Sequence, residues 1–596
     1  MFLATSLAML GFWSTGLTAA APTPASDLGA LKAIPANAAA FVAIRGVEGV
    51  KDRLFGMLQV ALPDYAFLAK TLVDGALSNG LDSRKLDGIA KNGPIFIACQ
   101  DFKELQNDNP NVVIIVAVTD YAKFLKGILK TEERNAMKKD GKFDVVKIED
   151  HDRTYFIAEK SGYAVMAQNK EIANWVLDAK QSIDGNISPA LGSRVVNSDV
   201  SVFVNLDQGL KSFADQLKEA ESNLSDFLKN AAEALPKDQK AGFEVMQKLI
   251  GPGFQSLRDS KAALFSIGFA PEGALVRVEA EARNGTQTAK FLSGIGTAAL
   301  DSMGNQPSGQ MFYSGFVGGD TVQKMTDLFS RGLIGEGKEA EVKKMLAALE
   351  ALSKAGPGEN NSSVDMPLVG LTIQSFKDPK AALDATIKNL DFMAGGSVYG
   401  NGAIKDKVKV TSDAVTHDGI KFTKAEFTWD FEKMFNQGNQ ELPDEIKKQI
   451  QNAMKELMGE KMEVYLGVSN GEVLTITAPN WAKGKALYDN YKAGKNKVGS
   501  VENFKVVRKA MGDRQSLLFL VDPVRYAGKI IEVFKGAFAG MIPLPPGFPA
   551  NLDKAKPTYI GSGVSLDQNT MAFELFVSSA SVQEIYKSFV KPFLAQ

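Results

Sequence analysis

Two histidines, one cysteine and a small group of carboxylates are the side chains on which chemistry would have to be built. His151 and His417 are the only imidazoles in 596 residues. Histidine is the usual proton carrier and metal ligand near neutral pH, so most such chemistry is closed off. Each histidine sits in a polar turn between apolar runs: Glu149-Asp150-His151-Asp152, and Thr416-His417-Asp418-Gly419. Read as matching turns of two related halves, they offer a paired ligand or proton site. The plainer reading is a polar turn residue, because turns favour such side chains and neither histidine is joined by a cysteine or a third histidine. Cys99 ends the apolar run Pro94-Ile95-Phe96-Ile97-Ala98-Cys99 and reads as a buried small residue rather than a nucleophile. A single cysteine allows no intrachain disulfide.

Carboxylates are the remaining route. Glu149, Asp150 and Asp152 offer a pair for glycoside hydrolysis or a calcium site, although charged hairpin tips are ordinarily just solvated. Asp207 and Asp522 fall at equivalent strand ends and read as helix caps. There is no phosphate loop ending in Gly-Lys-Ser or Gly-Lys-Thr, no dinucleotide glycine pattern, no His-Glu-x-x-His, and no calcium loop; neither histidine lies near a Gly-x-Ser-x-Gly elbow. The expectation is therefore no catalytic residue, no cofactor and no metal. One apolar, proline-rich stretch stands apart, Met541-Ile542-Pro543-Leu544-Pro545-Pro546-Gly547-Phe548-Pro549. It cannot be helix or central strand. Either it is a rigid loop against the core, or Met541, Ile542, Leu544 and Phe548 form a contact for a partner or lipid. The shorter Pro252-Gly253-Phe254 of the first half favours the loop.

The elements that would position these residues read as one pattern written twice. Residues 1–21 form an uncharged apolar run ending in Thr18, Ala19, Ala20 and Ala21, the grammar of a cleaved secretory signal, although no lysine or arginine precedes it. A first α+β repeat spans 30–300 with a charged helical insertion at 208–250, and a second spans 308–596. Strand 40–44 with helix 47–58 is answered by 310–316 with helix 321–329. Strand 112–118 and the helix opened by Asp120 are answered by 368–373 and the helix opened by Asp378-Pro379. Each half closes on a two-strand meander, 263–282 and 559–577, followed by a helix. Further helices are expected at 338–352 and 444–457, a polar glycine-rich linker or loop at 355–365, and a mobile stretch at 394–403. The fold class is α+β, each half a largely antiparallel sheet with helices packed on one face.

Ile34-Pro35-Ala36-Asn37 followed by Ala40-Phe41-Val42 resembles the opening of a bacterial family of exported proteins of unknown function. Gly162-Tyr163-Ala164-Val165-Met166-Ala167-Gln168-Asn169 resembles its strand–turn–helix block. In the second half, Pro307-Ser308-Gly309 matches the opening in part. The resemblance carries over no site. It implies a role in the envelope or outside the cell rather than catalysis.

Hydrophobic residues make up 45% and charged residues 23%, ordinary globular values, and a net charge of -1 gives no global field toward nucleic acid or anionic membrane. The leading expectation is a non-catalytic secreted or periplasmic envelope protein with a structural or binding role, its partner an envelope protein or a hydrophobic ligand. A carrier of a hydrophobic ligand or lipid, and a carboxylate-dependent hydrolase, are the alternatives. After signal cleavage it is not expected to be an integral membrane protein.

Overall fold

The computed structural model describes residues 28–80, 84–103, 111–148, 153–234, 240–319, 339–390, 404–405, 408–432, 444–538, 548, 552 and 555–594. Among the described residues the fold is α+β, 45% helix and 33% strand, with twenty strands in antiparallel sheet. Two compact units are present. The first comprises Met1–Ala214, Ser260–Ala282 and Ala572–Gln583; the second comprises Asp215–Asp259, Arg283–Met571 and Glu584–Gln596. Among the described residues no helix is long and apolar enough to cross a membrane.

In the first unit the chain lays down β1 (Ala40–Ile44), β2 (Ile95–Cys99), β3 (Val112–Ala117), β4 (Lys138–Asp140), β5 (Phe143–Ile148), β6 (Arg153–Lys160), β7 (Tyr163–Ala167), β8 (Val200–Asn205), β9 (Ser260–Ala270) and β10 (Gly273–Ala282). Their order across the sheet is β4-β5-β6-β7-β3-β2-β1-β8-β9-β10, antiparallel throughout. Alternation explains the faces. Phe41, Phe96, Ile115, Val165 and Phe203 point to one side, beneath the helices Lys170–Leu177 and Pro189–Asn197. On the opposite side Val116, Ile157 and Ala164 meet Phe124 and Leu125 of helix Tyr121–Ile128. Asp120 caps that helix, accepting from the Lys123 backbone N–H at 2.9 Å.

The second unit repeats this order with β11 (Phe312–Phe316), β12 (Pro357–Asp365), β13 (Val369–Phe376), β14 (Lys409–His417), β15 (Ile420–Thr428), β16 (Lys461–Ser469), β17 (Glu472–Ala478), β18 (Leu517–Val521) and β19 (Ile560–Asp567). Across the sheet they run β14-β15-β16-β17-β13-β12-β11-β18-β19. β20 (Thr570–Ser578) gives its residues from Ala572 onward to the first unit, where it pairs with β10. Asp378 caps helix Pro379–Leu390 by accepting from Ala381 N–H at 3.0 Å, with Pro379 in the first helical position.

Three sequence expectations give way here. The polar stretch at 355–365 is neither linker nor loop: from Pro357 onward it is β12, a central strand between β11 and β13. Its buried polar side chains are satisfied in place. Ser363 donates to Gln306 at 2.8 Å, Asn361 donates to Ser302 at 2.7 Å, Asn360 donates to Gln374 at 3.2 Å, and the Ser362 and Thr372 hydroxyls are 2.8 Å apart. Secondly, the two histidines do not occupy matching turns. The strand order aligns the His417 turn, between β14 and β15, with the turn at Gly141 between β4 and β5. His151 instead lies between β5 and β6, outside the described residues. The cause is β4, three exposed residues with no apolar side chain to announce a strand. Thirdly, Pro252 lies inside helix Lys240–Asp259 rather than in a connecting loop. Residues 1–21, 321–329 and 394–403 lie outside the described residues.

Candidate functional site

A concavity of about 430 Å³ lies in the first unit, where β8 runs into helix Leu206–Ser212. Its floor is Phe203, buried and stacked on Phe41 at 5.0 Å between ring centroids, with the small Ala262 beside it on β9. One wall is Ala36 and Asn37, in a turn closed by Ala38 N–H to Pro35 O at 3.1 Å. It is tied to the 3-10 turn Ile183–Gly185 by the Pro35–Ser182 bridge, by Ala36 N–H to Gln181 O at 3.0 Å, and by Ile183 N–H to Ile34 O at 2.9 Å. Asn186 braces the same wall by donating to Ala36 O at 3.1 Å. Asn205 closes the corner: its side chain donates to Ala38 O at 3.3 Å and caps the helix by accepting from Gln208 N–H at 3.3 Å. At the rim Asn37 accepts from the Trp175 indole N–H at 2.8 Å.

The lining includes five carboxamide residues, Asn37, Gln181, Asn186, Asn205 and Gln208, of which Asn205 has both ends of its side chain bonded within the fold. Charges balance. Asp207 and Lys211 lie one helical turn apart, and Lys261 has Glu281 at 3.8 Å. The site can therefore exchange hydrogen bonds in both directions but exerts little net field.

The second unit has the same scaffold with the cleft filled. Pro307 bridges Lys497, Val498 N–H bonds Gln306 O at 2.8 Å, and Ser308 N–H bonds Asn496 O at 2.6 Å. The register places Asp522 where the first unit has Asn205, Arg525 for Gln208, and Tyr559 for Ala262. Tyr559 is fully buried and packs edge-on against Tyr313 at 5.5 Å, while Arg525 reaches back to Gly309 O. Asp522 caps helix Pro523–Phe538, accepting from Val524 and Arg525 N–H at 3.2 and 3.1 Å. Burial pushes its carboxyl up to about 6, against the pull of Arg525 and these N–H groups. Burial likewise raises Tyr313 to about 12. The strand-end match is thus Asn205 with Asp522. Asp207, two residues later, is not the cap.

His417 is the other place where reactive side chains converge. Its Nε2 lies 2.6 Å from Asp489 and 3.8 Å from Asp418, and the potential ligand atoms of the three residues are all within 4.8 Å of one another. Both carboxylates already hold an ammonium: Lys485 at 2.5 Å from Asp489, Lys492 at 2.7 Å from Asp418. Lys485, then His417, holds the Asp489 carboxyl below the usual range, and Lys492 does the same for Asp418. The first unit ties the equivalent turn and helix by Asp140–Lys170 at 2.6 Å and Lys142–Asp178 at 2.7 Å. Recurrence of the tie with different residues marks a clasp between hairpin tip and helix. Trp481 and Tyr488 pack edge-on against the imidazole and hold it there.

Of the residues singled out from sequence, Cys99 is buried, with burial raising its thiol. Phe548 is buried, its ring 4.7 Å from that of Phe593. Met541, Ile542 and Leu544, and with them Glu149, Asp150 and Asp152, lie outside the described residues. Sequence reasoning missed the cleft because its lining comes from four separated segments. The one signal present was the Pro35-Ala36-Asn37 opening, two residues of which form a wall. No family model, no curated protein and no solved structure matches the chain.

Proposed function

We propose that the chain is an exported, non-catalytic protein of the cell envelope whose role is to bind a small polar ligand in the cleft of the first unit. The observation that carries this reading is the contrast between the units: one scaffold, plugged by Tyr559 and Arg525 in the second and open above Phe203 and Ala262 in the first. The volume falls within the range of about 300–1,000 Å³ usual for small-molecule sites. The apolar run at 1–21 supports export. The scarcity of histidine, with His417 held in a clasp, supports a role without turnover. A hydrophobic cargo is not favoured, since hydrocarbon would offer no partner to the remaining polar ends of Asn37 and Asn186 or to Lys211 and Lys261.

Ligand-induced stabilisation tests it. A chemically diverse small-molecule set should contain compounds that raise the unfolding temperature of the full chain and fail to do so with Ala262→Tyr, which copies the plug of the second unit. Hits that stabilise the variant equally, or that are converted to product, would overturn the reading.

A further inference from the structure

We infer that the ligand of this cleft is a neutral saccharide, an inference that rests on the binding role proposed above and narrows its chemistry. A sugar hydroxyl both donates and accepts, and the carboxamide is the uncharged side chain that answers both at once. Asn205 spends both ends of its side chain within the fold, but Asn37 and Asn186, also in the lining, are each held at one end only. Asn37 is held by Trp175, which leaves its amide N–H groups to donate. Asn186 spends an N–H on Ala36 O, so its side-chain oxygen is the accepting end. These two carboxamides thus present a donor and an acceptor before a ligand arrives, which lowers the entropy cost of binding.

Charge discriminates among hydroxylated ligands. The lining's two lysines, Lys211 and Lys261, stand beside Asp207, and Lys261 has Glu281 at 3.8 Å behind it, so a phosphate or carboxylate meets partly offset rather than clustered cations. Lysine and aspartate together instead suit a neutral hydroxyl, one donating to it and the other accepting from it. The small apolar floor of Phe203, Ile183 and Ala262 suits the C–H face of a ring. The volume admits a mono- or disaccharide.

Isothermal titration of the full chain with glucose, N-acetylglucosamine and maltose, against glucuronate and glucose 6-phosphate, tests the assignment. At least one neutral sugar should bind, with affinity weakened about tenfold or more in Ala262→Tyr. Gln208→Arg, which installs the second unit's Arg525 at the surface of the cleft, should weaken it too and guards against misfolding of the first variant. Tyr559→Ala, in the other unit, should leave affinity unchanged. Binding of the anionic sugars alone, or of neutral sugars equally by the two plugged variants, would overturn the inference. No sugar binding, while other polar compounds still stabilise wild type but not Ala262→Tyr, would sink the saccharide assignment and leave the binding role standing.

Discussion

Replacing Asp522 with asparagine gives the second unit the residue that the first unit carries at the same register, Asn205. The cap should survive, since asparagine and aspartate are comparable N-caps. What changes is the charge. Asp522 is 1% exposed, and burial raises its carboxyl from 3.8 to about 6. A displacement of that size corresponds to about 3 kcal/mol of preference for the protonated form in the fold. Between the two pKa values the folded chain holds a proton that the unfolded chain has released. Stability therefore falls as pH rises through about 4 to 6 and stays lowered above that. Asparagine removes this term, though an unpaired amide N–H would return about 1–3 kcal/mol at every pH. The pH dependence, not the absolute stability, is thus the clean readout. Urea unfolding of the full chain, followed at several pH values from about 4 to 7, should show wild type losing about 2 kcal/mol relative to Asp522→Asn, the rest of the effect lying below about pH 4. Asp365 and Glu472, also raised by burial, titrate in both proteins and cancel in the comparison. Parallel curves for the two proteins would refute the argument.

Other perturbations address the remaining charged contacts. Arg277 lies 2.6 Å from Glu574 and 3.2 Å from Glu279, both carboxylates being about 1–2% exposed; Arg277→Met should cost about 3 kcal/mol or more in denaturant unfolding, and a cost below about 1 kcal/mol would contradict it. Burial alone would raise the Glu133 carboxyl, yet Arg84 at 2.6 Å and the Lys130 N–H bring it below its usual range. Its contribution is present above the unfolded pKa near 4.5 and is lost as pH falls further, so Glu133→Gln should flatten acid unfolding below about pH 4.5; an unchanged acid limb would speak against this. If the His417 cluster is only a clasp, His417→Ala should cost at most about 1 kcal/mol, and zinc should not shift the unfolding temperature of wild type; a zinc-dependent rise would restore the metal reading.

Much of the architecture was readable because apolar alternation and capping residues act locally. β1, β3, β7, β13 and β18 announce themselves as apolar runs, and Asp120 and Asp378 mark helix starts that they cap. β4 and β12 were not readable. A three-residue exposed strand has no pattern, and Asn360-Asn361-Ser362-Ser363 can sit at the centre of a sheet only because Gln306, Ser302, Thr372 and Gln374 arrive from elsewhere to bond them. Missing β4 also shifted the alignment of the halves by one hairpin, which made two unrelated histidines look like partners.

The amino-acid sequence alone determined the α+β class, the repeated order of elements and the scarcity of groups suited to catalysis, since these follow from side-chain type and short-range spacing. Only the tertiary structure decided which concavity stays open. Ala36, Gln181, Asn205 and Lys261 are far apart along the chain and meet through strand register. Whether that meeting leaves a cleft or a packed core turns on whether alanine or tyrosine stands at one position of β9 or just before β19.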